Sequence, residues 1–236
     1  MISVIIPAYN EENRISSTLS DLILFIKENN LDMEVIVVND GSTDKTVEVV
    51  SLFMDRLNLK VINIGRNRGK GYAVKQGVLN ASGDMIIFFD ADGATKIIEI
   101  NNLINKITEG YDIVIGSREE SGARIIKKQS PLRLFLKRPF NYFLRIIFGI
   151  SDLKDTQCGF KGFKGNIARR IFSEVTTNGF AFDVEVLVIG LNMGYRVFQL
   201  PVIWENKKES SVNFVSIFVM MIDLLKIKYN SLMKKY

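Results

Sequence analysis

The chain has 236 residues, of which 47% are hydrophobic and 24% charged, an ordinary composition for a globular protein with a buried core. It has no histidine and a single cysteine, Cys158, which excludes a Ser-His-Asp triad, a zinc site of histidines or clustered cysteines and an internal disulfide, and indicates a reducing compartment. The net charge of +5 is concentrated in "ARIIKKQSPLRLFLKRPFNYFLR" and "KIKYNSLMKKY", which favours an anionic partner such as phosphate, nucleic acid or a membrane surface.

In the first half of the chain, short runs rich in Ile and Val alternate with helix-like stretches. The runs are ISVIIPAY, MEVIVVND, LKVINIG, DMIIFFDAD and DIVIGSR. Such runs are typical of strands buried on both faces. Residues 11–30 predict a helix, and residues 42–57 predict a second one that begins with the possible caps Ser42 and Thr43. The alternation predicts an α/β fold with a mostly parallel sheet flanked by helices.

The second half of the chain has a different rhythm. Residues 119–130 are rich in Ser, Gly and Lys and predict a mobile loop. Residues 131–150 are aromatic and basic, and residues 212–236 predict an amphipathic helix that ends in lysines. Between them, AFDVEVLVIGLNMG predicts a helix and YRVFQLPVIW a strand. Because no repeat or linker separates two units, we expect a single domain over residues 1–236.

The turns after the first and third runs exclude two common nucleotide sites. The first run lacks the glycines of a dinucleotide-binding turn, which argues against NAD. The third leads into GRNRGKG, residues 65–71, which has the wrong glycine spacing for a phosphate-binding Walker loop and no Ser or Thr after the lysine. Arg66, Arg68 and Lys70 remain candidates for a phosphate or for surface ion pairs.

Acidic residues follow the second and fourth runs. Asp40 follows MEVIVVN, and Asp90 and Asp92 follow MIIFF. An Asp-x-Asp pair alone also suits a solvated turn, but ligands of parallel sheets bind outside the carboxyl ends of the strands. Oxygen-only ligation favours Mg²⁺ or Mn²⁺. The position of the pair therefore predicts a divalent-cation site.

Several motifs together carry a family resemblance. VIIPAYNEE, EVIVVNDGSTDKT, NRGKGYAVKQG and DADGATK, in this order, resemble the nucleotide-sugar-binding half of inverting family 2 glycosyltransferases. GSR, DTQCGFKGF, GFAFDVEVL and LPVIWENKKESSV resemble the dolichyl-phosphate β-glucosyltransferases. The similarity covers nearly the whole chain. It implies a GT-A fold, with a nucleotide-sugar half over residues 1–118 and an acceptor half with interfacial helices over residues 119–236.

The resemblance implies a nucleotide-diphosphate sugar as donor, with UDP-glucose favoured and Mg²⁺ or Mn²⁺ held by Asp90 and Asp92. The residues it places at the nucleotide sugar are Pro7, Ala8, Tyr9, Glu11, Asn39, Asp40, Lys70, Asp90, Ala91 and Gln157. Many relatives carry Asp-Asp where this chain has Asn39-Asp40, and asparagine loses a charge and gains donors. This departure bears on the choice between UDP and GDP.

The implied acceptor is a polyprenyl or dolichyl phosphate. A phosphate monoester has a second pKa of about 6, so it attacks as a dianion without a histidine base. The residues implied in transfer are Asp92, Arg118, Arg133, Asp155, Asp183 and Glu185. Arg118 and Arg133, with Lys161 as a third candidate, would bind the acceptor phosphate, since guanidinium binds phosphate bidentately. A structural role remains the alternative for Asp183 and Glu185, and Cys158 is expected to be a packed residue.

A lipid acceptor implies a protein that lies on a membrane. The N-terminal MISVIIPAYNEEN predicts no signal peptide, and no uncharged apolar run reaches the roughly 18 residues of a transmembrane helix. We therefore expect a cytoplasmic protein, peripheral on the cytosolic face of the cell membrane, with no nucleic-acid partner. The aromatic and aliphatic side chains expected to enter the membrane or, alternatively, to pack on the protein itself are Leu134, Phe135, Phe140, Phe143, Leu144, Ile147 and Phe148.

Three other functions are compatible with the motifs. A dolichyl-phosphate mannose synthase would use GDP-mannose, and another family 2 enzyme would use a different acceptor. A non-catalytic membrane protein could retain only the sugar-nucleotide fold. The intact acid pair, with Arg118 and Arg133, argues against this last interpretation.

Overall fold

The computed structural model describes residues 1–127, 144, 147–150, 152–207, 214–233 and 235, with the backbone alone for 214–218. The strands in these residues are β1 (Ile2–Ala8), β2 (Met33–Asn39), β3 (Leu59–Asn63), β4 (Met85–Phe89), β5 (Ile113–Ser117), β6 (Arg124–Lys127), β7 (Phe160–Lys164), β8 (Val197–Pro201) and β9 (Ile203–Glu205). The helices are α1 (Ile15–Asn29), α2 (Thr46–Ser51), α3 (Lys70–Leu79), α4 (Glu99–Thr108), α5 (Gly165–Glu174), α6 (Phe182–Asn192) and α7 (Phe214–Leu232).

One sheet of seven strands organises the molecule. Its order is β3-β2-β1-β4-β7-β5-β8, and β7 alone among these strands runs antiparallel to its neighbours. This confirms the predicted mostly parallel sheet. Because β7 runs in the opposite direction, it begins at the edge where β4 and β5 end. The segment before β7 therefore lies beside the residues that follow β4 and β5, at what we call the carboxyl edge.

Alternating residues of the strands supply a core on each face of the sheet. On one face, Val4 and Ile6 of β1 belong to a cluster with residues of α1, α2 and α4. On the other, Ile5 belongs to a cluster with residues of α3, α5 and α6. Helices thus cover both faces, as the α/β pattern predicts. The carboxyl edge between the two layers remains for ligands.

The helix predicted over residues 42–57 is shorter than expected. α2 begins at Thr46, whose backbone N–H donates to Asp44 Oδ1 at 3.0 Å. Asp44 therefore caps the first turn, and the predicted caps are wrong. Ser42 Oγ instead accepts a hydrogen bond from the Asn10 backbone N–H at 3.0 Å, and the Thr43 backbone N–H donates to Asn10 Oδ1 at 2.9 Å. Both residues join two loops at the carboxyl edge.

Three further elements differ from the sequence prediction. β6 lies within the predicted loop 119–130 and pairs with β9. The strand predicted for YRVFQLPVIW divides into β8 and β9 after Pro201, which has no N–H to continue the ladder. β7 was hidden by its glycines, yet a Cβ on Gly162 would overlap the Leu103 side chain of α4. Glycine at this position lets α4 pack closely on the sheet.

The predicted interfacial stretch, residues 131–150, lies largely outside the described residues. Within it, Leu144 is 2% exposed and packs with Val184 of α6 and with Leu224 and Ile227 of α7. Its predicted membrane-facing role is therefore wrong, because it completes the core between these helices. α7 confirms the predicted tail helix. In the part of the chain that the structure describes, no helix is long and apolar enough to cross a membrane.

Candidate active site

The acid pair lies in a tight turn directly after β4. Asp92 Oδ1 accepts the Ala94 backbone N–H at 2.9 Å, and Gly93 adopts a left-handed φ of 62°, which glycine permits. The Asp90 backbone N–H donates to the Gly159 carbonyl at 3.1 Å. Burial and the neighbouring charge of Asp90 raise the pKa of Asp92. The two carboxylates therefore lie close enough to repel each other and to share a cation.

A third carboxylate, Glu11, faces the pair from the loop after β1. Its oxygens accept from Arg14 Nε at 2.7 Å and Arg14 Nη2 at 2.8 Å. Burial, together with the charges of Asp92 and Asp90, raises the pKa of Glu11 to about 7 against the effect of Arg14. Among the described residues, no three His, Cys, Asp or Glu side chains are grouped to hold a metal ion. Two carboxylates nevertheless suit Mg²⁺ or Mn²⁺, which complete their coordination with water and substrate phosphate oxygens.

The loop before α3 brings a lysine to the acid pair. Lys70 Nζ lies 2.7 Å from Asp90 Oδ1. Burial opposes the charged lysine, but the charges of Asp90 and Asp183 outweigh it and raise the pKa of Lys70. Asp40 fixes this loop, since its two oxygens accept the backbone N–H groups of Arg68 and Gly69, each at 2.8 Å. Lys70 is thus held beside the acid pair, where the family resemblance implies the donor diphosphate.

Asp40 and Asn39, both predicted near the nucleoside, have internal partners. Asp40, which accepts the two backbone N–H groups, is only 3% exposed, and this burial raises the pKa of its carboxyl group. Asn39 Nδ2 donates to Asn63 Oδ1 at 3.0 Å, and Asn39 Oδ1 accepts the Ser42 backbone N–H at 3.0 Å. Both side chains shape the loops at the carboxyl edge. Direct contact with the nucleoside stays a prediction.

A second charge centre lies at the end of β5. Arg118 forms a bidentate ion pair with Asp155, with Nε 2.6 Å from Oδ2 and Nη2 2.7 Å from Oδ1. Burial disfavours the guanidinium charge, but the Asp155 carboxylate outweighs it and raises the pKa of Arg118. Arg118 also lies over the Trp204 ring, with 5.4 Å between its Cζ and the ring centroid. The arginine is therefore fixed in orientation before any acceptor arrives.

Strand β9 connects Arg118 to the turn that carries Asp90 and Asp92, which we call the acid turn. Trp204 of β9 forms a bridge with Thr95, and the Glu205 backbone N–H donates to the Ala94 carbonyl at 2.8 Å. Sequence reasoning missed Trp204. It is the only tryptophan in the chain and ends the predicted strand YRVFQLPVIW, which was the available signal. One short strand thus supports both the acid turn and Arg118.

Segment 155–159, "DTQCG", also connects the two charge centres, which are the acid turn and the Arg118–Asp155 pair. Asp155 binds Arg118 at one end, and the Gly159 carbonyl binds the Asp90 N–H at the other. Gly159 has to be glycine, because a Cβ there would overlap the Asp90 carboxylate. Cys158 is buried, and burial raises the pKa of its thiol to about 11, so the expected packed role is confirmed. Within the described part of the chain, Gln157 Nε2 is buried without a hydrogen-bond partner.

The remaining predicted donor residues lie along the carboxyl edge or outside the description. Pro7 is partly buried and Ala8 buried at the end of β1, while Tyr9 is 42% exposed. Ala91 is buried between the two acids. Arg133 lies outside the described residues. The acceptor-phosphate role of Arg133 therefore stays a prediction.

Lys161 and Asp183 form a fully buried ion pair beneath the acid pair. Lys161 lies on β7 and is 0% exposed, and its Nζ also donates to the Cys158 carbonyl at 2.8 Å. Burial raises the pKa of Asp183, and the charges of Lys161 and Lys70 oppose this. Lys161 was predicted as a third acceptor-phosphate cation. Its observed partners are internal, so the structure does not support direct contact with a phosphate.

Glu185, two residues further along α6, has a structural role. Its carboxylate accepts the backbone N–H of Thr176 at 3.1 Å and of Thr177 at 2.8 Å, and the Thr176 hydroxyl at 2.8 Å. The side chain is fully buried. These contacts favour the structural alternative over contact with substrate, because every bond goes to the loop before α6.

Replacement of Lys161 by methionine is expected to lower the free energy of unfolding by about 3–5 kcal/mol, because it leaves the Asp183 charge buried without its partner. Urea unfolding followed by circular dichroism measures the change. The double variant K161M/D183N removes both charges, so it should recover most of the lost stability. Equal instability of the single and double variants would contradict this account of the pair.

The fold and the site together define a nucleotide-sugar-dependent transferase of the GT-A class. Its marks are the acid pair after β4, the antiparallel β7 and the arginine that follows β5 and pairs with Asp155. The sequence model of glycosyl transferase family 2 matches residues 3–172. The chain belongs to this family and is a glycosyltransferase.

Two relatives with assigned names are similar over nearly the whole chain. The dolichyl-phosphate β-glucosyltransferase of Dictyostelium discoideum is 35% identical over 246 residues, which cover 98% of this chain and 75% of the relative. The human dolichyl-phosphate β-glucosyltransferase is 33% identical over 242 residues, which cover 96% of this chain and 74% of the relative. The resemblance to this branch is thereby confirmed.

Solved structures support the fold. Glucosyl-3-phosphoglycerate synthase from Mycobacterium tuberculosis in complex with UDP superposes with a TM-score of 0.72 at 19% identity, covering 98% of this chain and 79% of that one. The same enzyme with Mn²⁺, UDP and glucosyl-3-phosphoglycerate gives a TM-score of 0.70 at 19% identity, with the same coverage. At this identity the likeness extends to the fold alone.

Proposed function

We propose that this protein transfers glucose from UDP-glucose to the phosphate of dolichol or a related polyprenol, with inversion at the anomeric carbon. The observation that carries the proposal is the connection between the two charge centres. Segment 155–159 binds Arg118 at one end and Asp90 at the other, so the donor diphosphate and the acceptor phosphate would be held on either side of one short segment. The two named relatives support glucose and a dolichyl acceptor.

The acid pair would hold Mg²⁺ or Mn²⁺ against the donor diphosphate, and the cation would neutralise charge on the leaving group as a Lewis acid. The Asp92 carboxylate is oriented by the Ala94 N–H, and the backbone of Asp90 is held by the Gly159 carbonyl, so the turn that carries both acids is positioned before the donor binds. Lys70 adds a positive charge beside them. These residues would bind the donor through its diphosphate.

The acceptor phosphate would supply its own nucleophile. As a dianion, one of its oxygens attacks the anomeric carbon, while the bond from that carbon to the diphosphate breaks and UDP leaves. Arg118 would orient the attacking phosphate, since Asp155 and Trp204 fix the plane of its guanidinium. Arg133 is the second proposed phosphate ligand. The described site thus needs no histidine or thiol for this step.

The choice of donor is tested by direct competition. Purified protein is incubated with Mn²⁺, dolichyl phosphate and either labelled UDP-glucose or labelled GDP-mannose. We expect lipid-linked product from UDP-glucose at a rate at least about tenfold higher, which corresponds to about 1.4 kcal/mol of discrimination. Product from GDP-mannose alone would favour the mannose synthase instead. Donor binding without any lipid product would favour another acceptor or a non-catalytic protein.

The outer face of α7 supports a position on a membrane surface. Leu224 and Ile227 of α7 are buried against α6, whereas the opposite face is apolar and exposed. The exposed apolar residues of this outer face are Val219, Ile222, Leu225, Tyr229, Leu232 and Met233. Lys226 and Lys235 are exposed beside them. An apolar face flanked by lysines suits the boundary between acyl chains and anionic headgroups, and we propose the cytosolic leaflet as its location.

Charges placed on this outer face should release the protein from lipid. For I222D/Y229D we expect binding to anionic vesicles to fall at least about tenfold, because two exposed apolar side chains no longer enter the membrane. Vesicle sedimentation at several salt concentrations measures it. The matched control is L52D/M54D, which changes two other exposed apolar residues, after α2. Equal loss in both variants, or none in the first, would contradict the proposed surface.

A further inference from the structure

Four charged side chains from four elements lie together below the acid turn. Lys70 comes from the start of α3, Asp90 from the end of β4, Lys161 from β7 and Asp183 from the first turn of α6. They form two ion pairs, Lys70 with Asp90 at 2.7 Å and Lys161 with Asp183. The first pair reaches the surface of the site, and the second is buried. We call these residues the charge quartet.

Lys70 pairs with Asp90 and begins a helix that packs against the residues before Asp183. A Cβ on Gly71 would lie 2.6 Å from the Thr177 carbonyl oxygen and 2.7 Å from Phe182 Cβ, so the start of α3 packs directly on the residues before Asp183. The Tyr72 backbone N–H also donates to the Asn178 carbonyl at 3.1 Å. Asp183 contributes to the raised pKa of Lys70, second only to Asp90 among the favourable charges. Lys70 is therefore held beside Asp183 while it is paired with Asp90.

The Lys70–Asp90 pair conflicts with cation binding at the acid pair. A divalent cation on Asp90 would compete with Lys70, which is bonded to Oδ1 of that carboxylate, and it would repel the nearby ammonium. A partly buried ammonium without a counter-charge is costly. A second carboxylate near Lys70 would remove this cost, and Asp183 is the candidate, because α3 packs on the residue directly before it.

We propose that Lys70 moves from Asp90 to Asp183 when the divalent cation binds, and that Asp183, held in place by Lys161, is a positioning residue that receives the displaced lysine. The exchange rests on the proposed function, because it requires the cation at Asp90 and Asp92. It keeps a positive charge next to the donor diphosphate without leaving that charge on a metal ligand. It also gives the buried Lys161–Asp183 pair a role in binding the cation.

The test is a thermodynamic cycle of Mn²⁺ binding to the protein alone, followed by electron paramagnetic resonance of free Mn²⁺. The variants are K70M, K161M/D183N and the triple variant that combines them. We expect K70M to bind Mn²⁺ about tenfold more tightly, because one charge-assisted bond no longer has to break. Neutralising the buried pair should weaken binding about tenfold when Lys70 is present. It should have no effect when residue 70 is methionine.

K75M is the matched control, since Lys75 lies on the same helix and donates to the Val175 carbonyl at 2.7 Å. Its Mn²⁺ affinity should equal that of the wild type. Should K161M/D183N fail to fold, K161M/D183L, which also removes both charges, takes its place in the cycle. Additive effects of the two changes, or tighter binding after loss of Asp183, would overturn the exchange while leaving the cation site intact. A wild-type protein that binds no Mn²⁺ would overturn both the exchange and the cation assignment.

Discussion

Replacement of Asp92 by asparagine is expected to reduce sugar transfer by at least about a thousandfold, since a cation that supplies several kcal/mol of charge stabilisation would lose one of its two carboxylates. The fold should persist. Asparagine keeps the oxygen that accepts the Ala94 N–H, and loss of the charge removes repulsion from Asp90. Transfer of labelled glucose measures activity, and thermal unfolding measures stability.

Asp84→Asn is the control for this prediction. Asp84 directly precedes β4 at the opposite edge of the sheet, where it is exposed and binds the N-terminal amine at 3.2 Å. Removing its charge should leave transfer unchanged. Wild-type-like turnover by D92N, or by the wild type in EDTA, would show that the acid pair does not act through a cation.

Gly159→Ala should be nearly as damaging, although it adds one methyl group to a residue without a reactive side chain. Its Cβ would overlap the Asp90 carboxylate, so Asp90 or the start of β7 has to move. A displacement of about 1 Å at a reacting centre costs on the order of a hundredfold in rate. We expect kcat to fall by about that factor and Mn²⁺ affinity to fall with it.

The control for this prediction is Gly179→Ala. A Cβ on Gly179 would lie 3.5 Å from Asp223 Oδ2, an ordinary contact, so this variant should keep near wild-type kcat. Both variants are compared by thermal unfolding to separate misplacement of Asp90 from loss of fold. If G159A retained full activity, Asp90 would not require the position in which β7 holds it.

Local sequence pattern was sufficient to predict much of the fold. The Ile- and Val-rich runs correspond to β1 to β5, and the acid pair lies at the carboxyl end of β4, as expected. These features depend on neighbours along the chain, which is what periodicity records. β7 escaped because its glycines break the strand pattern, and the reason for Gly162 is a contact with α4 more than fifty residues away.

The site was harder to predict, because the sequence shows that a carboxylate follows a strand but not whether its partner is a ligand or a loop of the protein. Asp40 followed β2 as Asp90 followed β4, yet Asp40 accepts two backbone N–H groups of the loop before α3. Lys161 likewise resembled a surface cation. Only the tertiary fold brings it against Asp183, from an element that begins after residue 181.

The central position of β7 has a consequence for biosynthesis. β4 and β5 both precede residue 118, yet neither can be fully paired until the ribosome has delivered residues 160–164. A nascent chain that ends before β7 would expose two unsatisfied strand edges in the middle of its sheet, and such edges invite pairing between molecules. Residues 1–118, although they supply most of the donor-side groups, therefore depend on the later half to become a finished sheet. We also expect slow folding, because β7 is distant in sequence from the strands with which it pairs. The chain entropy lost on closing these long loops precedes the stabilisation by the strand contacts.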